Sequence, residues 1–97
     1  MGHGGRLGRL WLRMKITFKL YASLTEYLPA AARTSNRVAL EVADDATIAT
    51  IIEPYGLPMK LVHLVLVNGV YVAPAERATR TFVDGDVLAI WPPIAGG

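Results

Sequence analysis

The final two residues of the sequence, Gly96 and Gly97, provide a group that could do chemistry. Glycine has no Cβ and loses more backbone freedom on ordering than any other residue, so a terminal diglycine adds little to a packed domain. It does present a carboxylate without shielding side chains, on a chain slim enough to enter a narrow channel. Untethered termini are generally mobile. We therefore predict that the Gly97 carboxylate is the reactive group and that Gly96 helps to thread it into a partner.

An apolar stretch precedes the diglycine. Prolines cannot continue a strand ladder and favour an extended chain, so Pro92 and Pro93 are expected to direct the tail away from the domain. Few residues follow to cover the apolar side chains, and exposed apolar patches often bind other proteins. The predicted partner-binding residues are Trp91, Pro92, Pro93, Ile94 and Ala95.

The remaining polar residues form no catalytic constellation. There is no cysteine, and the two histidines, His3 and His63, lie far apart in the sequence. Asp84 and Asp86 flank a glycine, a pattern typical of a turn. No Gly-rich phosphate loop is present. We expect no metal or cofactor bound by this chain and no enzyme activity from the chain alone.

The charge is divided unevenly along the chain. Residues 1–13 contain three arginines and no acidic residue, a charge of +3, so the other 84 residues carry −1 of the total +2. Four glycines and no hydrophobic period predict that residues 1–13 are a flexible leader and that 14–97 form one domain. We see no basic cluster in 14–97 and expect no nucleic-acid partner. The absence of cysteines and of an apolar run long enough to span a membrane favours the cytoplasm.

Hydrophobic alternation predicts the elements that hold the tail. Met14–Leu20 and residues 38–42 alternate apolar and polar side chains, which is typical of half-buried strands. The connection between them, 21–36, should point three side chains inward: Leu24, Tyr27 and Leu28. A short helix follows, with Thr47 as its cap, Asp44 and Asp45 as favourable charges near its N-terminus, and a termination by Pro54 and Gly56. Its apolar stripe consists of Ile48, Ile51 and Ile52.

The second half of the chain reads as three strands. Leu64–Val67 is an apolar run expected to be covered on both sides or nearly so, and Asn68-Gly69 predicts a type I′ hairpin turn into residues 70–72. Phe82 and Val83 should turn inward before the turn at 84–86. In the last strand, 87–91, one face should cover the core and the other a partner. The two sets are Val87, Ala89 and Trp91, and Leu88 and Ile90.

This order of strands around one helix predicts an α+β protein with a β-grasp, ubiquitin-like fold: a mixed sheet with one short helix on one face. The segments Leu66-Val67-Asn68-Gly69, Asp84-Gly85-Asp86 and Trp91–Gly97 together resemble the ubiquitin-like sulfur carriers MoaD and ThiS. The Pro-Pro pair and the 84-residue length are more similar to MoaD. Trp91 stands where the family often has phenylalanine, and Pro54 shortens a helix that is usually longer.

The resemblance implies a mechanism and partners. An ATP-dependent adenylating enzyme, using ATP and Mg²⁺ of its own, would adenylate the Gly97 carboxylate. A sulfur donor such as a persulfide would then convert it to a thiocarboxylate. In the MoaD case the carrier is the small subunit of molybdopterin synthase and gives its sulfur to a molybdenum-cofactor precursor on the large subunit.

Three alternatives remain open at this point. The chain could carry sulfur for thiazole or another metabolite, as ThiS does. It could be a protein modifier that joins Gly97 to lysines through an isopeptide bond. It could also be a β-grasp interaction module whose diglycine has no chemical role.

Overall fold

A computed structural model describes residues 13–94. They form a five-stranded mixed sheet in the order β2-β1-β5-β3-β4. The strands are β1 (Arg13–Leu20), β2 (Arg37–Ala43), β3 (Leu64–Val67), β4 (Val70–Tyr71) and β5 (Val87–Trp91), and the α-helix is α1 (Ile48–Ile52). The predicted β-grasp, ubiquitin-like fold is confirmed.

The first and last strands pair at the centre of the sheet. β1 and β5 run parallel, from Thr17 opposite Val87 to Leu20 opposite Ile90. The other pairs, β1–β2, β3–β5 and β3–β4, are antiparallel. β1 begins at Arg13, which pairs with Ala43, one residue before the predicted start. Since β5 lies between β1 and β3, the C-terminal segment leaves from the middle of the sheet.

One face of the sheet is buried under α1 and the loops. Phe18, Val65, Leu88 and Ile90 have no exposed surface and meet the equally buried Ile48 of the helix. Tyr55 packs on Phe18 with ring centroids 4.9 Å apart, and partial burial raises the pKa of its hydroxyl. The main hydrophobic cluster of the described residues thus lies on the helix side.

The helix begins and ends where the sequence predicts. Thr47 caps it in a capping box: its hydroxyl accepts from the Thr50 N–H, and the Thr50 hydroxyl accepts from the Thr47 N–H. Asp44 and Asp45 lie in the turn just before this cap, and the first turn of the helix itself contains no acidic residue. A single 3-10 turn, Glu53–Tyr55, follows and ends at Gly56 with φ of 70°.

The long connection between β1 and β2 contains two short 3-10 helices, Ala22–Tyr27 and Ala30–Ala32. It buries Leu24 and Leu28 as predicted and leaves Tyr27 half-buried. Two further 3-10 turns, Met59–Leu61 and Pro74–Glu76, precede β3 and follow β4. Within residues 13–94, no helix has the length and apolar character needed to cross a membrane.

Two burial predictions for the second half need correction. Val65 and Val67 are buried but Leu64 and Leu66 are only half-buried, because the helix covers one side of β3 and the other side faces outward. Val83 is 67% exposed, while its neighbour Phe82 is buried. The N–H of Val83 instead donates to the Asp86 carboxylate, which fixes Val83 in the loop with its side chain outward.

Candidate docking face and tail exit

Backbone hydrogen bonds fix the point where the tail leaves the sheet. The Ile90 carbonyl accepts from the Tyr21 N–H at 3.1 Å, and the Trp91 carbonyl accepts from the His63 N–H at 3.1 Å. Pro92 and Pro93 then have no N–H to donate, so strand pairing ends at Trp91. The six residues from there to Gly97 can reach roughly 20 Å when extended.

Around this exit, the face of the sheet opposite the helix is apolar. We call this the apolar patch: Tyr21, Leu64, Leu66, Tyr71, Val87, Ala89 and Trp91. Trp91 stacks on Tyr21, with ring centroids 4.1 Å apart and planes 5° from parallel. Ala89 is 7% exposed because its short side chain lies between Lys19 and Leu66 on the flanking strands. The patch therefore has a shallow depression at Ala89, and the rings of Trp91 and Tyr21 lie beside the tail exit.

The other half of the same face is basic. Cross-strand pairing brings Lys19 opposite Arg37, and Lys15 opposite Glu41. Arg13 lies on the same face at the end of β1. The sequence shows no basic cluster, because these residues come together only through the β1–β2 register. The Lys19 ammonium lies 5.5 Å from the centre of the Tyr21 ring, a cation–π contact that joins the basic half to the apolar patch.

A buried arginine stabilises the backbone at the tail exit through hydrogen bonds. Arg77 is 6% exposed and its guanidinium donates to three backbone carbonyls: Val72 (3.3 Å), Val62 (3.0 Å) and His63 (3.1 Å). Since His63 in turn holds the Trp91 carbonyl, Arg77 positions the strand end from which the tail emerges. Arg77 is not among the residues predicted from the sequence. The only signal is an arginine in a loop, which is far more often exposed.

A second polar cluster locks the β3–β4 turn to the start of β5. The Asn68 side-chain amide donates to Asp86 at 2.8 Å, and its oxygen accepts from the Val87 N–H at 2.8 Å. Asn68 and Gly69 have φ of 51° and 82°, as a type I′ turn requires. Asp86 is 4% exposed. The predicted turn at 84–86 is confirmed, with Gly85 at φ of 91°. The Asp86 carboxylate accepts hydrogen bonds that hold this turn in place.

The predicted site residues occupy two settings. Trp91 and Pro92 are half-buried at the rim of the apolar patch, whereas Pro93 and Ile94 are exposed, Ile94 to 80%. Ala95, Gly96 and Gly97 lie outside the described residues. His63 contributes its backbone N–H and C=O to the tail exit. The described geometry thus supplies a surface that could bind a partner, beside the start of the tail.

A mixed sheet wrapped around one short helix, with its last strand central and its other face open, defines a ubiquitin-like β-grasp domain. The chain belongs to the Mut7-C ubiquitin family, whose sequence model matches residues 13–95. No curated protein matches this sequence.

Solved structures from archaea share the fold. The Haloferax volcanii HVO 2177 protein is 24% identical, with a TM-score of 0.68 over 89% of each chain. Small archaeal modifier protein 1 (SAMP1) of Haloferax volcanii is 26% identical, with a TM-score of 0.61 over 86% of this chain and 99% of that one. SAMP1 of Methanosarcina acetivorans is 18% identical, with a TM-score of 0.58 over 88% and 98%. The ubiquitin-like part of the expected resemblance is thereby confirmed.

Proposed function

We propose that this protein is a sulfur carrier whose Gly97 carboxylate is activated by adenylation and converted to a thiocarboxylate. The observation that carries the proposal is the apolar patch at the tail exit, with the Trp91–Tyr21 stack at 4.1 Å beside the start of the tail. A partner that binds this patch receives the tail at a fixed position and in one direction. Such positioning is what a reaction at the end of a short extended segment needs.

The proposed chemistry has three steps. A carboxylate oxygen of Gly97 attacks the α-phosphorus of ATP on the activating enzyme, and pyrophosphate leaves. A persulfide sulfur then attacks the acyl carbon and displaces AMP. A second thiol breaks the resulting S–S bond, which leaves the thiocarboxylate on Gly97 and a disulfide on the donor side. ATP and Mg²⁺ belong to the activating enzyme, and this chain provides the carboxylate and the docking surface.

For the acceptor, we propose the large subunit of molybdopterin synthase, with this chain as the small subunit in molybdenum-cofactor synthesis. The proposal rests on the Pro92-Pro93 pair before the diglycine and on the apolar patch that would bind the larger subunit. ThiS-like transfer to thiazole or to another metabolite uses the same tail. To distinguish the two acceptors, the purified thiocarboxylate is offered to each acceptor enzyme, and sulfur transfer is measured.

A second candidate is a protein modifier, in which a lysine amine takes the place of sulfur and Gly97 forms an isopeptide bond. The likeness to the small archaeal modifier proteins favours it, at 26% identity for SAMP1 of Haloferax volcanii. Both candidates require adenylation of Gly97, so they share an activating enzyme and differ in the nucleophile. The third reading, an interaction module with an unused diglycine, requires no adenylation.

The test changes the reach of the tail. Deleting Gly97, or adding one residue after it, displaces the carboxylate by roughly 3.5 Å, and an error of about 1 Å at a reacting group can cost on the order of a hundredfold in rate. Each variant is incubated with the activating enzyme, ATP and a persulfide donor, and intact mass is measured. The unaltered chain should exchange one oxygen for sulfur and both variants should not. Val83→Ser, an exposed change away from the tail, is the control.

The outcomes separate the candidates. Thiocarboxylation of the shortened chain at the normal rate would exclude the role of Gly97. In cell lysate, lysine adducts through Gly97 without thiocarboxylate would favour the modifier. Thiocarboxylate without adducts would support the carrier. If neither product forms, the remaining interpretation is an interaction module whose diglycine has no chemical role.

A further inference from the structure

The outer edge of β2 is open in the described part of the chain. Leu20 donates its N–H to the Asn36 carbonyl, and hydrogen-bonded pairs alternate along an antiparallel ladder. The even-numbered residues of β2 therefore bond to β1. The N–H and C=O groups of Ala39 and Glu41 point to the free edge, where the sheet order shows no further strand among residues 13–94.

A groove runs beside this edge on the helix side. It has a volume of about 270 Å³ and a mostly apolar lining: Leu40, Glu41, Val42, Thr50, Ile51, Pro54 and Tyr55. The volume is small for a ligand pocket, since such pockets have about 300–1,000 Å³. An open strand edge next to apolar side chains suits a strand of another polypeptide, which supplies backbone hydrogen bonds and side chains together.

The charges along β2 identify that polypeptide. Arg37 lies opposite Lys19 on β1, and like charges directly opposite each other destabilise a sheet. The acidic Glu41 lies four residues further along the same strand and the same face. When two β2 edges pair antiparallel around Ala39, Arg37 of each copy faces Glu41 of the other. The strand is thus self-complementary in charge, and the small Ala39 side chains meet at the axis.

We propose that the β2 edge binds a second copy of this chain, which forms a twofold-symmetric dimer with a continuous ten-stranded sheet. The backbone agrees with this register, because residues 37, 39 and 41 all point to the free edge and each pairs with an outward-pointing residue: 37 with 41, 39 with 39, and 41 with 37. On the helix side, Leu40 of one copy lies beside Val38 of the other. Like charges opposite each other, Glu41 against Glu41, disfavour a register centred on Glu41.

The dimer is independent of the proposed function. β2 lies at the edge of the sheet, three strands away from β3, so pairing there leaves the apolar patch and the tail exit uncovered in both copies. Failure of the dimer would leave the carrier proposal intact, and the reverse also holds.

The lack of cysteine in the chain allows a direct test of the register. In the proposed dimer, the two Ala39 positions form a hydrogen-bonded pair with Cα atoms about 5.5 Å apart, within the range that a disulfide spans. The two Ala43 positions are eight register steps apart, roughly 26 Å. We expect Ala39→Cys to form disulfide-linked dimers under mild oxidation and Ala43→Cys, the same change on the same face, to form none on a non-reducing denaturing gel. Equal crosslinking of both variants would overturn the proposal.

Charge reversal tests the same contact without a crosslink. Arg37→Glu and Glu41→Arg each place like charges opposite each other twice, and we expect each to weaken self-association of the full chain about tenfold or more in sedimentation equilibrium. Mixing the two variants restores both opposite-charge pairs, so we expect a heterodimer with the affinity of the unaltered chain. A monomeric chain at all concentrations up to about 1 mM would exclude the dimer, as would a mixture no tighter than each variant.

A third experiment measures the dimerisation of a shortened chain of residues 14–97. Dimerisation equal to that of the full chain supports the proposal. Dimerisation only after removal of residues 1–13 would show that the edge is taken by the chain's own N-terminal segment, and would exclude the dimer for the full chain.

Discussion

The two faces of β5 have opposite surroundings within five residues. Leu88 and Ile90 are fully buried under the helix, whereas Val87 and Trp91 lie half-exposed in the apolar patch on the other side. Both sets are apolar, so composition does not distinguish them. Neighbouring positions of one strand thus serve separate purposes, one packing the domain and the other available to a partner. Substitutions one residue apart should therefore alter different properties.

The largest effect on folding is expected on the covered face. Leu88→Ala removes a fully buried side chain and should lower the free energy of unfolding by about 2–5 kcal/mol. Val87→Ala, on the other face of the same strand, should cost less than about 1 kcal/mol. Urea denaturation of both variants makes the comparison. Equal losses would mean that the two faces are packed alike.

Arg77→Met should have the next largest effect. It leaves the carbonyls of Val62 and Val72 buried without their donor, and buried unsatisfied groups cost about 1–3 kcal/mol each. We expect a loss of about 2–4 kcal/mol in urea denaturation. Arg80→Met is the matched control at an exposed position and should change stability by less than about 0.5 kcal/mol. If Arg77→Met leaves the free energy of unfolding unchanged, the Arg77 side chain does not hold the tail exit in place.

Trp91→Asp should separate stability from binding. It loses the stack on Tyr21, a contribution of about 0.5–1.5 kcal/mol, while the core on the other face is untouched. Binding to the activating enzyme should weaken by on the order of a hundredfold, because a charge replaces an aromatic anchor. Calorimetric titration measures this, and Trp91→Phe should retain most of the affinity. Unchanged affinity for Trp91→Asp would exclude the apolar patch as the docking surface.

The smallest effect is expected from removing residues 1–13. Only the Arg13–Ala43 pair of the described sheet is lost, and sheet ends contribute little. The melting temperature and the rate of thiocarboxylation should stay close to those of the full chain. A large drop in either quantity would assign the leader to the domain.

Local signals in the sequence predict most of the fold. Asn68-Gly69 and Thr47 specify a turn and a cap through short-range chemistry, and both form as expected. The errors arise where hydrogen bonds override the usual preference of a side chain for the interior or the surface. Val83 is apolar but exposed, because Asp86 fixes its backbone, and Arg77 is charged but buried, because three carbonyls from two other segments surround it.

The site was predictable in the same uneven way. The sequence places Trp91 and the prolines before the tail, but it gives no sign of Tyr21, which joins the apolar patch only through the parallel pairing of β1 and β5. The basic half of the open face depends on the β1–β2 register in the same manner. Cross-strand neighbours depend on the order and register of the strands, which the local patterns of a single sequence do not specify.

The central pairing of the first and last strands also affects synthesis of the protein. β1 obtains its parallel neighbour only when β5 is complete, so the sheet cannot close until Trp91 has left the ribosome. Such long-range pairing makes folding slow compared with helical domains of similar size. A chain interrupted before residue 87 lacks the centre of its sheet and should be degraded as an unfolded product. Completion of the sheet therefore requires the described chain through Trp91, and a product that lacks β5 has no route to this fold.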